Sequence, residues 1–480
     1  MVKETIALRD ALRVLAFVGD MSMGQPIDHS ARTAWLAQRI AEALALDATD
    51  RDDVAPVALL RWSGCSANAS LVAATIADDV RGRAAMLALQ TDRIDVLVPA
   101  AELSARITAI SSINCEVSGI VAETLGLPRS VASALQSTFE EWDGTGVPRG
   151  LARDAIPAVS LVVALAGDFD IFERTYGFSE ALALITTRAD ARYPRAYVDV
   201  LRAHADRWFA ELTTSPTLDV PSERDIDLVL IADVIDLKLP WLHDHSRAVA
   251  DVAWQLALAM GYDATQRAHI KRAGLLHGLG RATVPNALWD PRAHPSSADS
   301  ERIALSPYWT MRALKRIDRT SIEGDIASFV CERLDGTGYF RGSNAQGTPR
   351  LHRILPVAAS WVALQEARPW RAAANASVAT RRLIDDVRSG ALDREVVDSL
   401  HAATSFGSGS RETRETAAPL SSRELEVLRR ISFGHSNKET AEHLGISPAT
   451  VRTHVESIFR KLGCTSRAAA TLKASIAGLL

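Results

Sequence analysis

The residues near the C-terminus that could do chemistry are polar side chains spaced to share one face of a helix. Apolar residues recur at helical spacing after Pro448, and four polar residues fall opposite them: Arg452, Thr453, Glu456 and Arg460. Side chains of this kind form hydrogen bonds with base edges in the major groove, where a carboxylate such as that of Glu456 could accept from a cytosine amino group. The pattern therefore indicates a helix whose exposed face reads nucleic acid.

The elements that must position this helix are marked by helix-capping residues. Two Ser-x-x-Glu patterns, beginning at Ser421 and Ser436, form capping boxes that predict the starts of two helices. Ser447 caps the third helix, and Pro448 stands at its first position, where a missing N–H costs nothing. A fourth helix is predicted over residues 466–477. Two short helices joined by a tight turn, the second with a polar outward face, have the geometry that fits a major groove.

These residues resemble the LuxR/GerE-type DNA-binding domain over the whole of 420–480. The matching motifs are Leu420-Ser421-x-Arg423-Glu424, Ser436-Asn437-Lys438-Glu439-x-Ala441, Leu444-Gly445-Ile446-Ser447, Thr450-Val451-x-x-His454 and Lys461-Leu462-Gly463. The resemblance implies that Lys438 and Thr450 contact phosphates, while Arg452, Thr453 and Glu456 face bases. An acidic residue at Glu456 is less usual in this family, and it leaves the preferred bases open.

The same resemblance implies the partners of the module. Its fourth helix commonly pairs two subunits, so we expect a homodimer on double-stranded DNA with an inverted repeat. RNA polymerase and an unidentified small-molecule ligand are further candidate partners. The charge distribution agrees: residues 420–480 carry nine Lys/Arg and five Glu, a net +4, which leaves −8 for residues 1–419.

The chain before residue 402 contains two copies of one pattern, which predicts a degenerate duplication. Asp28-His29-Ser30 corresponds to Asp244-His245-Ser246, and the residues 32 positions beyond each histidine are Arg61 and His277. Further along, Trp142-Asp143-Gly144-Thr145-Gly146 corresponds to Leu334-Asp335-Gly336-Thr337-Gly338.

The second copy resembles an HD-GYP-type domain of the HD phosphohydrolase superfamily over about 236–370. The matching pieces include His245-Ser246-Arg247, the run from Ala273 to Arg281, Val284-Pro285-Asn286-Ala287-Leu288, the run from Glu332 to Tyr339, and Arg353-Ile354-Leu355. The resemblance implies a helical domain that, when active, uses a metal-bound water to attack a phosphodiester, cyclic di-GMP being the usual substrate.

Most residues at the family's metal positions differ in this chain. The corresponding residues are His245, His277, Gly278, Ser306, Val330 and Cys331, with Ala359 where a carboxylate is expected. In the first copy His29 remains, but Arg61-Trp62 replaces the His-Asp pair, and the position of the last aspartate, near Gly167 and Asp168, is ambiguous. We therefore expect no catalytic residues, no metal, no cofactor and no enzyme activity. The alternative is a bifunctional regulator that retains weak metal-dependent hydrolysis of cyclic dinucleotides.

The vacated site of the second copy predicts a ligand pocket. Its candidate lining is His245, Arg247, His277, Arg281, Glu332 and Asp335. Cyclic di-GMP is one candidate ligand by resemblance, and an apolar metabolite is another. The alternative is that the two histidines are satisfied core residues of a helical scaffold that only dimerises.

The bulk properties fit a multidomain globular protein. The chain has 480 residues, a length that suggests about three domains. Its residues are 47% hydrophobic and 23% charged, as is usual for a globular protein. Polar, Pro/Ser-rich stretches predict linkers, so that the expected domains are 1–212, 225–401 and 420–480, with a linker at 402–419. Helical spacing dominates, so we predict an all-α fold: two degenerate HD-type helical domains followed by a four-helix helix-turn-helix domain. No membrane span, apolar signal core or paired cysteine motif is evident, which predicts a cytoplasmic protein without a membrane partner.

Overall fold

The computed structural model describes residues 4–212, 224–290, 295–400 and 420–480, and within them the chain is almost entirely helical, which confirms the predicted fold class. The predicted linker 402–419 and all but the last residue of 213–224 lie outside the described residues. The chain divides into two compact units, one formed by Ala7–Arg224 and one that combines Met1–Ile6 with Asp225–Leu480. None of the described helices has both the length and the apolar character that a bilayer span requires.

The first unit is built around helix α2, which packs on α3 and α8. The apolar residues Trp35, Leu36 and Ile40, whose spacing predicts one helix face, are all buried there. Asp47 and Asp78 cap α3 and α5 by accepting hydrogen bonds from backbone N–H groups. The helices are α1 (Leu8–Ser22), α2 (His29–Ala43), α3 (Ala48–Leu60), α4 (Ala69–Ala73), α5 (Asp79–Leu87), α6 (Ala100–Thr124), α7 (Arg129–Leu135), α8 (Ala158–Tyr176), α9 (Phe178–Thr187) and α10 (Arg195–Leu212).

The body of the second unit repeats this plan, with α12 packed on α13 and α17. Asp263 and Gln266 form a capping box at the start of α13. Strands β1 (Thr5–Ala7) and β2 (Asp225–Asp227) form a two-stranded sheet. The helices are α11 (Leu228–Asp236), α12 (His245–Ala259), α13 (Ala264–Leu276), α14 (Ser297–Ala304), α15 (Ser306–Leu314), α16 (Ser321–Ala327), α17 (Ile354–Gln365), α18 (Ala376–Arg388) and α19 (Arg394–Asp398).

A shared loop shows the duplication in atomic detail. In the first unit the Glu140 carboxylate accepts hydrogen bonds from the backbone N–H groups of the residues 9 and 11 positions later, at 2.9 and 2.8 Å. In the second unit Glu332 accepts from the residues at the same two offsets, at 2.7 and 2.9 Å. Asp143 and Asp335 each accept from a threonine two residues on. The contacts of this loop are therefore the same in both units.

The C-terminal part of the second unit contains four helices at the predicted positions. They are α20 (Ser422–Ser432), α21 (Asn437–Leu444), α22 (Pro448–Leu462) and α23 (Arg467–Ile476). Both predicted capping boxes are formed, with Ser421 and Ser436 as the N-caps. Gly445 and Gly463 end α21 and α22 in the left-handed conformation, with φ of 63° and 60°.

Candidate functional site

Helix α22 presents one apolar face to its neighbours and one polar face to solvent. Val451 and Ile458 are completely buried. On the opposite face the side chains of Arg452 and Glu456 are 75% and 63% exposed, and Thr453 is exposed beside them. The two faces lie where helical spacing predicts them, so the residues expected to read bases are exposed to solvent and do not contribute to the core.

Arg452 and Glu456 form an ion pair one turn apart on this exposed face. The Arg452 Nε lies 2.9 Å from the Glu456 Oε1. Exposed pairs at this spacing stabilise a helix by only about 0.3–0.5 kcal/mol. Either side chain can therefore leave the other for a base edge at small cost.

The two residues expected to contact phosphates stand at the starts of helices. Lys438 is exposed in the first turn of α21, and Thr450 is exposed in the first turn of α22. The Thr450 Oγ1 lies 2.9 Å from the Oγ of the capping residue Ser447. Helix N-termini favour anions, because their backbone N–H groups and dipole point outward. These positions suit phosphate contacts, which remain a prediction.

Glu424 joins the first helix of this region to α22. Its buried carboxylate accepts hydrogen bonds from the Ser421 backbone N–H, the Ser457 hydroxyl and the Lys461 ammonium group, each at 2.7 Å. Burial raises the pKa of Glu424, but the hydrogen bonds from Lys461 and from the two serines outweigh it and lower the pKa to about 2. The carboxylate therefore stays charged and fixed between the two helices.

In the second unit the two retained histidines are buried side by side. The ring centroids of His245 and His277 are 5.5 Å apart. The Arg281 Nη2 lies 2.9 Å from the His277 Nε2, and since a guanidinium only donates, Nε2 must accept. The His277 proton is then on Nδ1, which donates to the Gly274 carbonyl oxygen at 2.6 Å. Burial, followed by the charge of Arg281, lowers the pKa of His277 well below its usual value, so this imidazole is neutral.

A carboxylate orients the other imidazole. The His245 Nδ1 lies 2.8 Å from the Glu366 Oε2, and the same oxygen accepts from the Arg368 Nη2 at 2.7 Å. Burial lowers the pKa of His245 well below its usual value and raises that of Glu366 to about 7. The histidine is therefore held neutral, with its Nδ1 hydrogen-bonded to Glu366.

Two further aspartates complete this cluster. Asp236 accepts from the backbone N–H and the hydroxyl of Ser246, both at 2.8 Å, and Asp233 accepts from Arg247. The Arg281 Nη1 lies 4.0 Å from the Asp236 Oδ1, beyond hydrogen-bond distance, and is buried without a hydrogen-bond partner. Arg247 is thus committed to Asp233, whereas Arg281 retains an unused donor.

The other expected pocket residues have local roles. The Glu332 carboxylate is occupied by the two backbone N–H groups of its own loop. Asp335 is held by the Thr337 backbone and hydroxyl groups, which lower its pKa. Among the six predicted lining residues, the contacts join only His245, His277 and Arg281 into one cluster.

The residues present do not fit the metal centre that the HD-GYP resemblance implies. Within the described ranges, no three His, Cys, Asp or Glu side chains are arranged to hold a metal ion. Gly278 offers no ligand, and a Cβ there would lie 2.8 Å from the Arg281 Nη1. The missing side chain therefore leaves room for the guanidinium that bonds to His277.

The first unit contains a comparable arrangement with different residues. The Arg61 side chain, only 2% exposed, donates from Nη2 to the His29 Nε2 and to the Thr33 Oγ1. The His29 Nδ1 lies 2.7 Å from the Asp170 Oδ2. Burial lowers the pKa of Arg61 to about 10, against the charges of Asp168 and other aspartates. In both units, an arginine therefore occupies the Nε2 side of a histidine.

Sequence reasoning missed the aspartates that fix the start of the histidine helices. Ser30 donates to Asp20 from its backbone N–H at 3.0 Å and from its hydroxyl at 2.6 Å, as Ser246 does to Asp236. Each aspartate precedes its serine by ten residues. This equal spacing in the two copies is the signal that could have identified them.

Two protein-family models match this chain. Residues 229–396 match the model of the HD domain, and residues 418–474 match that of bacterial regulatory proteins of the luxR family. The chain is 26% identical over 411 residues to the 3'3'-cGAMP-specific phosphodiesterase 3 of Vibrio cholerae, which covers 78% of this chain and 89% of that protein.

Two other matches concern the fold and the C-terminal region. A crystal structure of the Vibrio cholerae cyclic GMP-AMP-specific phosphodiesterase V-cGAP3 matches with a TM-score of 0.59 and 22% identity, over 84% of this chain and 98% of that one. The probable transcriptional regulatory protein NarL of Mycobacterium tuberculosis is 41% identical over 96 residues, 19% of this chain and 43% of NarL.

These matches correct the expectation that the chain has no enzyme activity. That expectation rested on the substituted metal positions, and it is wrong. The similarity to a phosphodiesterase extends over 78% of the chain, far beyond those motifs. The substitutions at the metal positions therefore do not exclude hydrolysis as a function of this chain.

Proposed function

Because the chain carries an HD domain and a C-terminal luxR-family DNA-binding domain, we propose that it is a transcriptional regulator that reads DNA with Arg452, Thr453 and Glu456. The observation that supports this proposal is the exposed polar face of α22, opposite a fully buried apolar face. We expect Lys438 and Thr450, both exposed in first helical turns, to contact phosphates.

The proposed DNA target is an inverted repeat bound by a homodimer. Regulators of the luxR family bind DNA and commonly dimerise. In this chain the apolar side chain of Ile476, on α23, is 41% exposed, which suits a pairing surface. Footprinting together with analytical ultracentrifugation tests this point: protection of a single half-site by a monomer would contradict it.

Replacing Arg452 by alanine should weaken binding to the preferred sequence by about 1–3 kcal/mol and reduce discrimination between base pairs. Lys438→Ala should instead weaken binding to all sequences and reduce the slope of log K against log salt by about one. Fluorescence anisotropy of the full chain over a salt series measures both effects. Arg388→Ala, at an exposed position in the HD body, is the matched control. A full chain that binds no DNA at low salt would refute the proposal.

For the HD body we propose a cyclic-dinucleotide site at His277 and Arg281. The buried, unused donor at the Arg281 Nη1 is suited to a phosphate oxygen, since arginine binds phosphates through several N–H groups. The similarity to a 3'3'-cGAMP-specific phosphodiesterase supports this ligand class. Arg281→Gln should lower the affinity for 3'3'-cGAMP about tenfold, measured by calorimetry.

Phosphodiester hydrolysis is a second candidate function, favoured by the extent of the similarity to that phosphodiesterase. The full chain is incubated with 3'3'-cGAMP and with Mn²⁺, Fe²⁺ or Mg²⁺, and products are separated by chromatography. Turnover that disappears in a His245→Ala, His277→Ala double variant would assign hydrolysis to this site. Binding without turnover would identify a receptor, and the absence of both would contradict the ligand class.

A further inference from the structure

We infer that the first unit contains a second binding site, a cavity for an amphipathic monoanion with an apolar body and a carboxylate-like head group. The cavity lies between α4, α5, α6 and α8 and is lined only by residues of Ala7–Arg224. It is therefore separate from the His277 and Arg281 cluster, and its existence does not depend on the proposed cyclic-dinucleotide site.

The walls of the cavity are mainly apolar. Its volume is about 470 Å³, within the range of roughly 300–1,000 Å³ that is typical of small-molecule sites. Side chains from distant parts of the unit form these walls, among them Met23, Val72, Leu103, Ile107, Phe139 and Phe172. A chamber of this size and lining favours a ligand whose main part is apolar.

A group of charged residues contributes to the lining and sets the charge of the ligand. Arg192 donates to Asp168 at 2.7 Å and to Glu141 at 2.9 Å. Arg188 lies 3.7 Å from Glu141 through its Nη2, while its buried Nε has no hydrogen-bond partner. With Arg83, the lining residues include three arginines and two carboxylates, a net charge of +1.

Arg83 differs from Arg188 because its donors are already used. It donates to the carbonyl oxygens of Ser22 and Cys65, both at 3.1 Å, and to the Asn68 Oδ1 at 2.5 Å. Arg188 has an unused donor, so it is the cation that we expect to receive an anionic head group.

Apolar side chains that line the cavity also reach the surface. Met86, Leu89 and Val96 are 42%, 42% and 45% exposed, although each contributes to the cavity wall. Leu89 has a φ of 57°, a left-handed conformation that costs a non-glycine residue roughly 1–3 kcal/mol. Exposed apolar residues grouped at a cavity mark a binding site, because a ligand there would bury them.

The test uses the full chain and two probes of equal length, dodecanoate and 1-dodecanol, in calorimetry and thermal-shift measurements. We expect dodecanoate to bind at least tenfold more tightly than dodecanol. Arg188→Gln should reduce that preference to less than threefold, whereas Arg195→Gln, at an exposed position outside the cavity, should leave it unchanged.

A second variant keeps the test independent of the arginine. Ile107 is half-buried on α6, so Ile107→Trp should fill the cavity without removing a core residue, and affinity for both probes should fall at least tenfold with an unchanged circular dichroism spectrum. Equal affinities of the two probes in the wild type would overturn the anionic head group. No binding of either probe, or wild-type binding by Ile107→Trp, would overturn the site.

Discussion

Replacing Arg61 by methionine is expected to lower the stability of the first unit by about 3–5 kcal/mol, because it removes the donor for several buried hydrogen-bond acceptors. The Arg61 guanidinium is the donor for the His29 Nε2, the Thr33 hydroxyl and the Val163 carbonyl oxygen. Methionine fills part of the volume but donates to none of them. The variant therefore leaves several buried polar atoms unpaired, and each unpaired atom costs about 1–3 kcal/mol.

Hydrogen–deuterium exchange of the full chain, read on peptides from α2 and α8, measures this loss separately from the second unit. Arg195→Met is the matched control, because Arg195 is exposed and pairs only with Asp190 at the surface. A change below about 1 kcal/mol in Arg61→Met would mean that the guanidinium is not a necessary part of the buried network.

Gly280→Ala should destabilise the second unit by about 3 kcal/mol or more, whereas Gly278→Ala should cost only about 1–2 kcal/mol, mainly for the His277 Nε2 that the displaced Arg281 leaves unpaired. A Cβ on Gly280 would overlap the Ser306 carbonyl oxygen and lie 2.9 Å from the Thr310 backbone nitrogen, neither of which can move without α15. A Cβ on Gly278 meets mainly the end of the Arg281 side chain, which can rotate away.

Thermal unfolding of the two full-length variants compares these costs, at roughly 2–4 °C per kcal/mol for a domain of this size. Gly278→Ala should also weaken binding of 3'3'-cGAMP, since the displaced Arg281 leaves His277. Equal unfolding temperatures for the two variants would show that α15 yields to the added methyl group.

The C-terminal region could be predicted in detail because its signals are local. The two capping boxes, Pro448 at the first position of α22 and the left-handed glycines act within four residues of where they stand. The faces of α22 follow from helical spacing alone. Here local preference and tertiary packing agree, so each sequence pattern had one structural outcome.

The histidine clusters could be predicted only in part, because their partners come from distant segments. His245 pairs with a carboxylate 121 residues away, and His29 with one 141 residues away. No spacing rule identifies such partners before the helices are packed. The same holds for the cavity of the first unit, whose walls extend from Met23 to Arg192.

The Glu424 carboxylate couples the start of the C-terminal region to α22. The chain enters the C-terminal region at Leu420 and Ser421, and one side chain then connects Ser421 to Ser457 and Lys461 on α22. With a pKa of about 2, against 4.5 when unperturbed, this connection is complete above pH 4.5 and is lost only as the pH falls toward 2. A displacement of Ser421 would therefore stretch the hydrogen bonds by which Glu424 holds α22.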